Sequence, residues 1–351
     1  MEIQTAKVPK EKVAEFYSAL GELRAHEWKP VLGKCMFWAD NCAVPPIASH
    51  LLSRSWLEQI ADPSHKVVQF RLTTEDRVNK PGRIEACDAG INEAMTFPGF
   101  CQPHDDELFA CLEKQEFSGT GEQLRALAYR SVCCEACAKH QVVDCNWDRA
   151  ATQMERALET NQQAPPSFAL QMEMEKFRCV QLFLKKFDLE NMWRTDRNST
   201  ASYVVQFAKR PTVLVSTTVT PAVTFTGRIL ESRWDWLTVT IIPCANGGWA
   251  VFTWDKSAPK NPSLFVKSFT KLAKELQTVA LLNFVFESSE NFVIAPQWWE
   301  SLSQERRNNL FRRYGSSFKR GFGKPSASTL LPPKAPWVDW RPVDASVVSL
   351  K

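Results

Sequence analysis

The sequence predicts an α+β fold with an N-terminal metal-binding unit, a helical arm and a C-terminal antiparallel sheet with flanking helices. Three observations indicate this architecture. Cysteine and histidine residues cluster near the N-terminus, helical periodicity runs from residue 121 to residue 193, and β-branched segments separated by Pro, Gly and Asn follow Ser199. Asn246-Gly247 lies between two of those segments and is typical of a tight hairpin turn, which predicts antiparallel pairing.

Composition indicates a folded protein without a membrane span. Of the 351 residues, 44% are hydrophobic and 23% are charged, as is typical of globular domains. Residues 1–12 have no apolar signal-peptide core, and no stretch reaches the ~18–20 apolar residues of a transmembrane helix. We therefore expect a cytoplasmic protein with reduced thiols, in which the 11 cysteines are metal ligands or small buried side chains.

Residues 1–120 are predicted to form the metal-binding domain. Apolar residues recur at helical spacing in its first segment, at Val13, Phe16, Tyr17, Leu20 and Leu23. The predicted elements are a helix over Val8–Trp28, a loop over Gly33–Pro46, an extended piece ending at His50, a helical turn from Ser53 or Ser55, a strand over Lys66–Thr73, an irregular segment over Arg77–Pro98 and a helix over Asp105–Gln115.

Residues 121–198 are predicted to form the helical arm, with helices over Gly121–Lys139, Trp147–Gln162 and Phe168–Trp193. Pro165-Pro166 is expected to stop the second of these helices. The third helix carries four apolar residues that face one way, Phe177, Val180, Leu184 and Phe187. Together these helices are predicted to form one bundle or arm.

Residues 199–314 are predicted to form an α+β domain built on the antiparallel sheet. Its predicted strands cover Tyr203–Ala208, Thr212–Thr220, Leu237–Pro243 and Trp249–Trp254. An amphipathic helix is expected over Pro262–Gln277, a short apolar strand over Thr278–Glu287 and a final helix over Gln297–Arg313. Residues 315–351, rich in Gly, Ser, Pro and Lys, are predicted to be a flexible basic tail.

Cys101-x2-His104 is the best candidate metal half-site, because it follows a Pro/Gly turn and opens a helix. Cys35, Cys42 and His50 lie upstream and offer a second half. Two ligand sets remain open for a structural Zn²⁺: Cys35, Cys42, Cys101 and His104, or Cys42, His50, Cys101 and His104. The alternative is a buried Cys101 beside a surface His104. Another candidate set, Cys134, Cys137 and His140, follows one continuous helix and does not converge. We therefore interpret Cys133, Cys134 and Cys137 as small buried residues beside the apolar stripe.

Residues 33–113 resemble a diverged HNH-nuclease or treble-clef zinc-finger pattern. The resemblance lies in a Cys-containing loop, then Ile-x-Ser-His50, then Phe-Cys101-x2-His104-Asp105 leading a helix. The Ser-His and Phe-Cys-x2-His-Asp patterns are also similar to a group of uncharacterised bacterial proteins. In those proteins a later motif resembles Glu290-Asn291-x4-Pro296-x-Trp298-Trp299.

The nuclease resemblance implies a metal-dependent cleavage of nucleic-acid phosphodiesters, in a role such as bacterial defence. His50 would be the general base, Asp105 would support it, and Mg²⁺ or another divalent metal would stabilise the developing charge. The sequence departs from the nuclease pattern at Ser49, where many members have a metal ligand, and at Leu108 and Phe109. A non-catalytic, zinc-stabilised binding or regulatory protein, with a protein partner, is the alternative.

A basic segment near the C-terminus is the candidate nucleic-acid-binding surface. From residue 306 to residue 324 it contains no acidic residue. Its candidate phosphate contacts are Arg306, Arg307, Arg312, Arg313, Lys319 and Arg320. A solvated helix face is the alternative, since the net charge of +4 does not by itself indicate a DNA- or RNA-binding protein.

Overall fold

The computed structural model describes residues 33–37, 42–72, 84–160, 166–195, 199–230, 235–256, 260–319, 330 and 337–349. The predicted helix Val8–Trp28 lies outside these residues. The helices are α1 (Arg54–Glu58), α2 (Gln102–Leu108), α3 (Ala110–Glu113), α4 (Gly121–Thr160), α5 (Pro166–Thr195), α6 (Asn261–Thr270), α7 (Lys274–Ser288), α8 (Pro296–Ser301) and α9 (Gln304–Lys319). The strands are β1 (Ala48–His50), β2 (Lys66–Leu72), β3 (Ile84–Gly90), β4 (Thr96–Pro98), β5 (Thr200–Phe207), β6 (Val213–Val219), β7 (Leu237–Cys244), β8 (Gly247–Asp255), β9 (Phe292–Ile294) and β10 (Pro342–Ser349).

An antiparallel sheet of eight strands is the centre of the fold, in the order β10-β5-β8-β7-β6-β9-β2-β3. The predicted α+β class and antiparallel sheet are confirmed. Strands β1 and β4 form a separate two-stranded sheet. Strands β2 and β3 come from the predicted 1–120 domain but belong to the large sheet, so the predicted domain division does not correspond to separate sheets.

Helices cover both faces of the large sheet, because apolar side chains alternate along its strands. Phe252 lies on the face that packs against α6, α7 and α9, whereas Val251 faces α4, α5 and the N-terminal unit. The Ser131 and Thr218 hydroxyls form a 3.0 Å hydrogen bond that links α4 to β6. The N-terminal unit packs on α4 through the Phe100 and Tyr129 rings, 5.7 Å apart.

The helical arm is an α4–α5 pair, and α4 is one helix where the sequence predicted two. Residues 140–146 contain neither Pro nor Gly, so nothing local ends the helix between the two predicted segments. Within the described part of the chain, no helix has the length and the hydropathy needed to cross a membrane.

Three further sequence-based predictions of elements are wrong. Residues 278–287 form part of α7 instead of a strand, because a short apolar run buried on all sides lacks a distinguishing period. The segment predicted as irregular, Arg77–Pro98, contains β3 and β4. The predicted flexible tail contains β10, which pairs with β5, and a buried Trp340 that packs edge-on against Phe207 at 4.8 Å.

Candidate metal centre

Two chain segments bring the predicted ligands together. Cys101 has an extended backbone just before α2, and His104 lies in the first turn of that helix. Backbone hydrogen bonds dock the upstream loop beside them. The Cys35 N–H donates to the Val44 carbonyl (3.1 Å) and the Met36 N–H donates to the Gly99 carbonyl (2.8 Å). The docking of this loop explains why Cys35 faces a residue 69 positions later in the chain.

The side chains of Cys35, Cys42, Cys101 and His104 converge on one point. Their ligand atoms all lie within 4.8 Å of one another. The His104 Nδ1 lies 3.3 Å from both the Cys35 and Cys101 sulfurs, and the Cys42 and Cys101 sulfurs are 3.8 Å apart. A tetrahedral ion with metal–sulfur bonds of ~2.3 Å separates two sulfur ligands by about 3.8 Å, so this group could hold a metal ion.

The environment of the cluster is apolar on one side. Cys35 and Cys101 are buried, whereas Cys42 and His104 are partly exposed. Burial raises the pKa of the Cys35 thiol to about 12, and backbone hydrogen bonds from Cys101 and Phe37 oppose that rise. The Phe37 ring packs against the His104 ring, with 4.8 Å between centroids. A thiolate at Cys35 therefore needs a cation nearby, which a bound metal ion would supply.

His50 does not belong to the group that converges. It lies at the end of β1, opposite Thr96 of β4, and its Nε2 donates a hydrogen bond to the Ile91 carbonyl (2.9 Å). Ser49, beside it, is buried, and its hydroxyl accepts a hydrogen bond from the Phe100 N–H (3.1 Å). Of the two ligand sets left open by the sequence, the structure brings together the one that contains Cys35. The catalytic role of His50 stays a prediction.

Asp105 lies next to His104 and borders a buried charged cluster that the sequence did not indicate. Burial raises the pKa of Asp105, and Arg130 opposes that rise. Arg130 is buried, donates to Glu113 (2.8 Å) and lies 3.8 Å above the Phe109 ring. The Ser53 hydroxyl also donates to Glu113. The sequence did contain one signal of this cluster, an arginine within the apolar stripe of α4. The catalytic role of Asp105 stays a prediction.

A second buried polar cluster joins α4 to α5. The Tyr129 hydroxyl and the Lys186 ammonium both donate to the Glu190 carboxylate. All three side chains are buried. Burial raises the pKa of Tyr129 and of the neighbouring Cys133, which keeps both protonated. Charged residues spaced four apart on a helix are usually solvent-exposed, so the sequence did not indicate this cluster.

Cys133, Cys134 and Cys137 are buried along α4, as the sequence indicated. His140, from the same discounted set, is buried there as well. Within the described ranges, the group containing Cys35 is the one set of metal-binding side chains whose ligand atoms converge.

The predicted basic surface is partly used for packing. Arg313 forms an ion pair with the buried Glu287, and Arg307 donates to the Glu300 carbonyl (2.7 Å) beneath the Trp299 ring. Arg306 lies 5.1 Å from the Trp337 ring, which stacks on Trp298. Arg312 is exposed. The Lys319 side chain and Arg320 lie outside the described residues. The nucleic-acid contacts therefore stay a prediction.

The chain was compared with protein-family models, curated proteins and solved structures, and no match was found. The interpretation of the centre therefore depends on its own geometry and chemistry.

Proposed function

We propose that this chain is a non-catalytic, zinc-stabilised binding protein. In this proposal, Cys35, Cys42, Cys101 and His104 hold one structural Zn²⁺, which fastens a treble-clef-like unit to the helical arm. The observation that carries the proposal is the convergence of four ligand atoms, all from the protein, within 4.8 Å. Four protein ligands fill a tetrahedral shell, which is the pattern of structural zinc sites.

The donor set supports zinc over other divalent ions. Three thiol sulfurs and one imidazole nitrogen suit a borderline-soft ion, whereas Mg²⁺ and Ca²⁺ prefer oxygen ligands. The local architecture also supports the treble-clef-like assignment. The loop carrying Cys35 and Cys42, the β1–β4 pair and the helix opened by Cys101 and His104 follow one another in the order that the resemblance implies.

An HNH-like nuclease is the second candidate. Catalytic zinc sites keep a coordination position open for water or substrate, and a shell of four protein ligands leaves none. Phosphodiester cleavage would therefore need a separate Mg²⁺ or similar ion near His50 and Asp105. One observation favours this candidate: the Asp105 Oδ1 is buried without a hydrogen-bond partner among the described residues.

Elemental analysis of protein purified without chelator tests the proposal. We expect about one zinc per chain, and less than half of that in Cys101→Ser. The same variant should lose roughly 5–15 °C of Tm, because the metal contributes folding free energy. Cys111→Ser is the matched control, since Cys111 is also buried but lies outside the cluster. If the purified wild-type protein contains no zinc, the proposal is overturned.

His50→Ala separates the two candidates. The structural proposal expects this variant to keep its zinc. It also expects the wild type to show no metal-dependent cleavage of DNA or RNA. If the wild type shows divalent-metal-dependent cleavage and His50→Ala abolishes it without changing the zinc content, the nuclease is the correct candidate and the binding protein is not.

A further inference from the structure

The cysteine side chains of the candidate metal centre differ in their access to solvent. Cys35 and Cys101 are 0% and 1% exposed, whereas Cys42 is partly exposed. His104 is partly exposed as well, so the cluster has an open side. A small solute therefore reaches the Cys42 side chain more readily than it reaches the two buried cysteines.

A second sulfur lies close to the exposed one. The Cys42 and Cys101 sulfurs are 3.8 Å apart. A disulfide bond brings two sulfurs to about 2.0 Å, so the pair must close by roughly 2 Å, a shift that rotation of the two side chains about their Cα–Cβ bonds supplies. The exposed sulfur therefore has a neighbour with which it can form a bond.

Backbone hydrogen bonds hold the two segments together without help from a metal ion. The Met36 N–H donates to the Gly99 carbonyl and the Ile47 N–H donates to the Phe100 carbonyl, each at 2.8 Å. The two donors lie on either side of the exposed cysteine in the chain, and both acceptors lie just before Cys101. The sulfurs of the pair therefore stay near each other when the coordination shell changes.

We propose that hydrogen peroxide switches this centre from a zinc-bound reduced form to a zinc-free form that contains a Cys42–Cys101 disulfide. The inference rests on the proposed function, because it describes the regulation of the same four-ligand site. Coordinated sulfurs are thiolates, the form of cysteine that reacts with peroxides. A disulfide between two of the ligands leaves Cys35 and His104, which are too few to hold a structural zinc ion.

The oxidation takes place in two steps whose atoms and electrons balance. The Cys42 thiolate attacks one peroxide oxygen, the O–O bond breaks, and a sulfenic acid and a hydroxide ion form. The Cys101 thiolate then attacks the Cys42 sulfur, the S–O bond breaks, and a second hydroxide ion leaves. The two sulfurs together lose two electrons, which the peroxide gains. A thiol reductant reverses the change by disulfide exchange.

The cysteines on helix α4 are poorer targets for the same oxidant. Cys133, Cys134 and Cys137 are buried. Burial raises the pKa of all three, so each stays a thiol at neutral pH, and thiols react slowly with peroxide. The metal centre is therefore favoured over this group as the site of oxidation.

Disulfide mapping of the zinc-loaded full chain tests the proposal. After treatment with hydrogen peroxide, alkylation of the remaining thiols and proteolysis, we expect mass spectrometry to find peptides joined through Cys42 and Cys101. A colorimetric zinc indicator should record the release of about one zinc ion per disulfide. A thiol reductant followed by added Zn²⁺ should restore the loaded form.

The outcomes of this experiment separate the switch from the proposed function. A reduced chain that contains no zinc would overturn the proposed function. A loaded chain that keeps its zinc in peroxide would overturn the switch alone. Release of zinc with a different disulfide, or with no disulfide, would also overturn the switch alone.

Cys42→His gives a second test. It replaces the exposed thiolate with an imidazole, which also binds Zn²⁺ and completes a shell of two sulfurs and two nitrogens. This variant should load zinc and release it in peroxide at least about tenfold more slowly than the wild type. Cys87→Ser is the matched control, since Cys87 is also partly exposed but lies outside the cluster, and it should release zinc at the wild-type rate. Equal rates for Cys42→His and the wild type would contradict the proposal.

Discussion

At the scale of single residues, the positions of the side chains in space show which cysteines and histidines form the candidate metal cluster. The spacing Cys101-x2-His104 and its position before a helix were readable from the sequence. The choice between Cys35 and His50 was not, because it depends on how the upstream loop docks. That docking uses backbone hydrogen bonds, such as the one from Met36 to Gly99, and backbone groups leave no pattern in the sequence.

Glu135 on α4 provides a pH-dependent prediction at this scale. Burial raises its pKa to about 7, with Glu290 and Glu175 adding to the rise and Lys139 opposing it. A carboxyl group whose pKa is higher in the folded state stabilises the fold below its ordinary pKa. That stabilisation is lost as the pH rises through about 7.

Glu135→Gln should therefore gain about 1–3 kcal/mol of unfolding free energy at pH 8, at about 1.4 kcal/mol per pKa unit. Solvent screens part of the effect, since 21% of the side chain is exposed, so we expect the lower part of that range. The gain should vanish near pH 4, where the wild-type carboxyl is also neutral. Denaturant titrations at the two pH values measure it. Glu93→Gln, at an exposed site, is the control, and a gain of equal size at both pH values would contradict the assignment.

At the scale of elements, local composition predicted β5 to β8 well, because β-branched residues and turn residues there act together. It failed for α7, where residues 279–286 are buried on every side and a helical period cannot be seen. It also did not indicate that Phe177, Val180, Leu184 and Phe187, which share one face of α5, are exposed. The period of a helix shows which residues share a face, but only tertiary packing decides whether that face is covered.

The hairpin between β7 and β8 gives an element-scale prediction. Gly247 has a φ of +150°, and a Cβ there would lie 2.0 Å from the Phe207 carbonyl oxygen of the neighbouring strand β5. Gly247→Ala should therefore cost at least ~2 kcal/mol of unfolding free energy in a denaturant titration.

Gly90→Ala is the matched control for this hairpin variant. Gly90 ends the edge strand β3, and a Cβ there would meet nothing within 4 Å. That variant should be neutral or slightly stabilising, because alanine loses less backbone entropy on folding than glycine does. Equal destabilisation by the two substitutions would show that the contact with Phe207 is not the cause.

At the scale of the whole molecule, removal of the metal should have a local effect. The proposed zinc fastens a unit of short elements, β1, β4 and α1 to α3, which cannot form a stable core alone. The apolar core between the large sheet and α6, α7 and α9 contains none of the metal ligands.

After treatment with a zinc chelator, we expect amide protection to be lost in residues 42–60 and 96–113, but kept in β5 to β8. Hydrogen exchange followed by mass spectrometry measures both regions, and added Zn²⁺ should restore the first. Loss of protection across the whole sheet on chelation would contradict this division of the molecule.

The strand order of the large sheet has a kinetic consequence. The hairpin β7–β8 and its neighbour β5 lie within residues 200–255. By contrast, β10 pairs with β5 at separations of 135 to 148 residues, and β9 pairs with β2 at a separation of 226 residues. Such a sheet has a high contact order, so we expect its closure to be slow and late. Until β10 pairs with it, β5 is an open edge that contains Tyr203, Val204 and Val205 and is able to pair with other nascent chains. The segment predicted as a loose tail is therefore the part of the chain that protects this edge from aggregation.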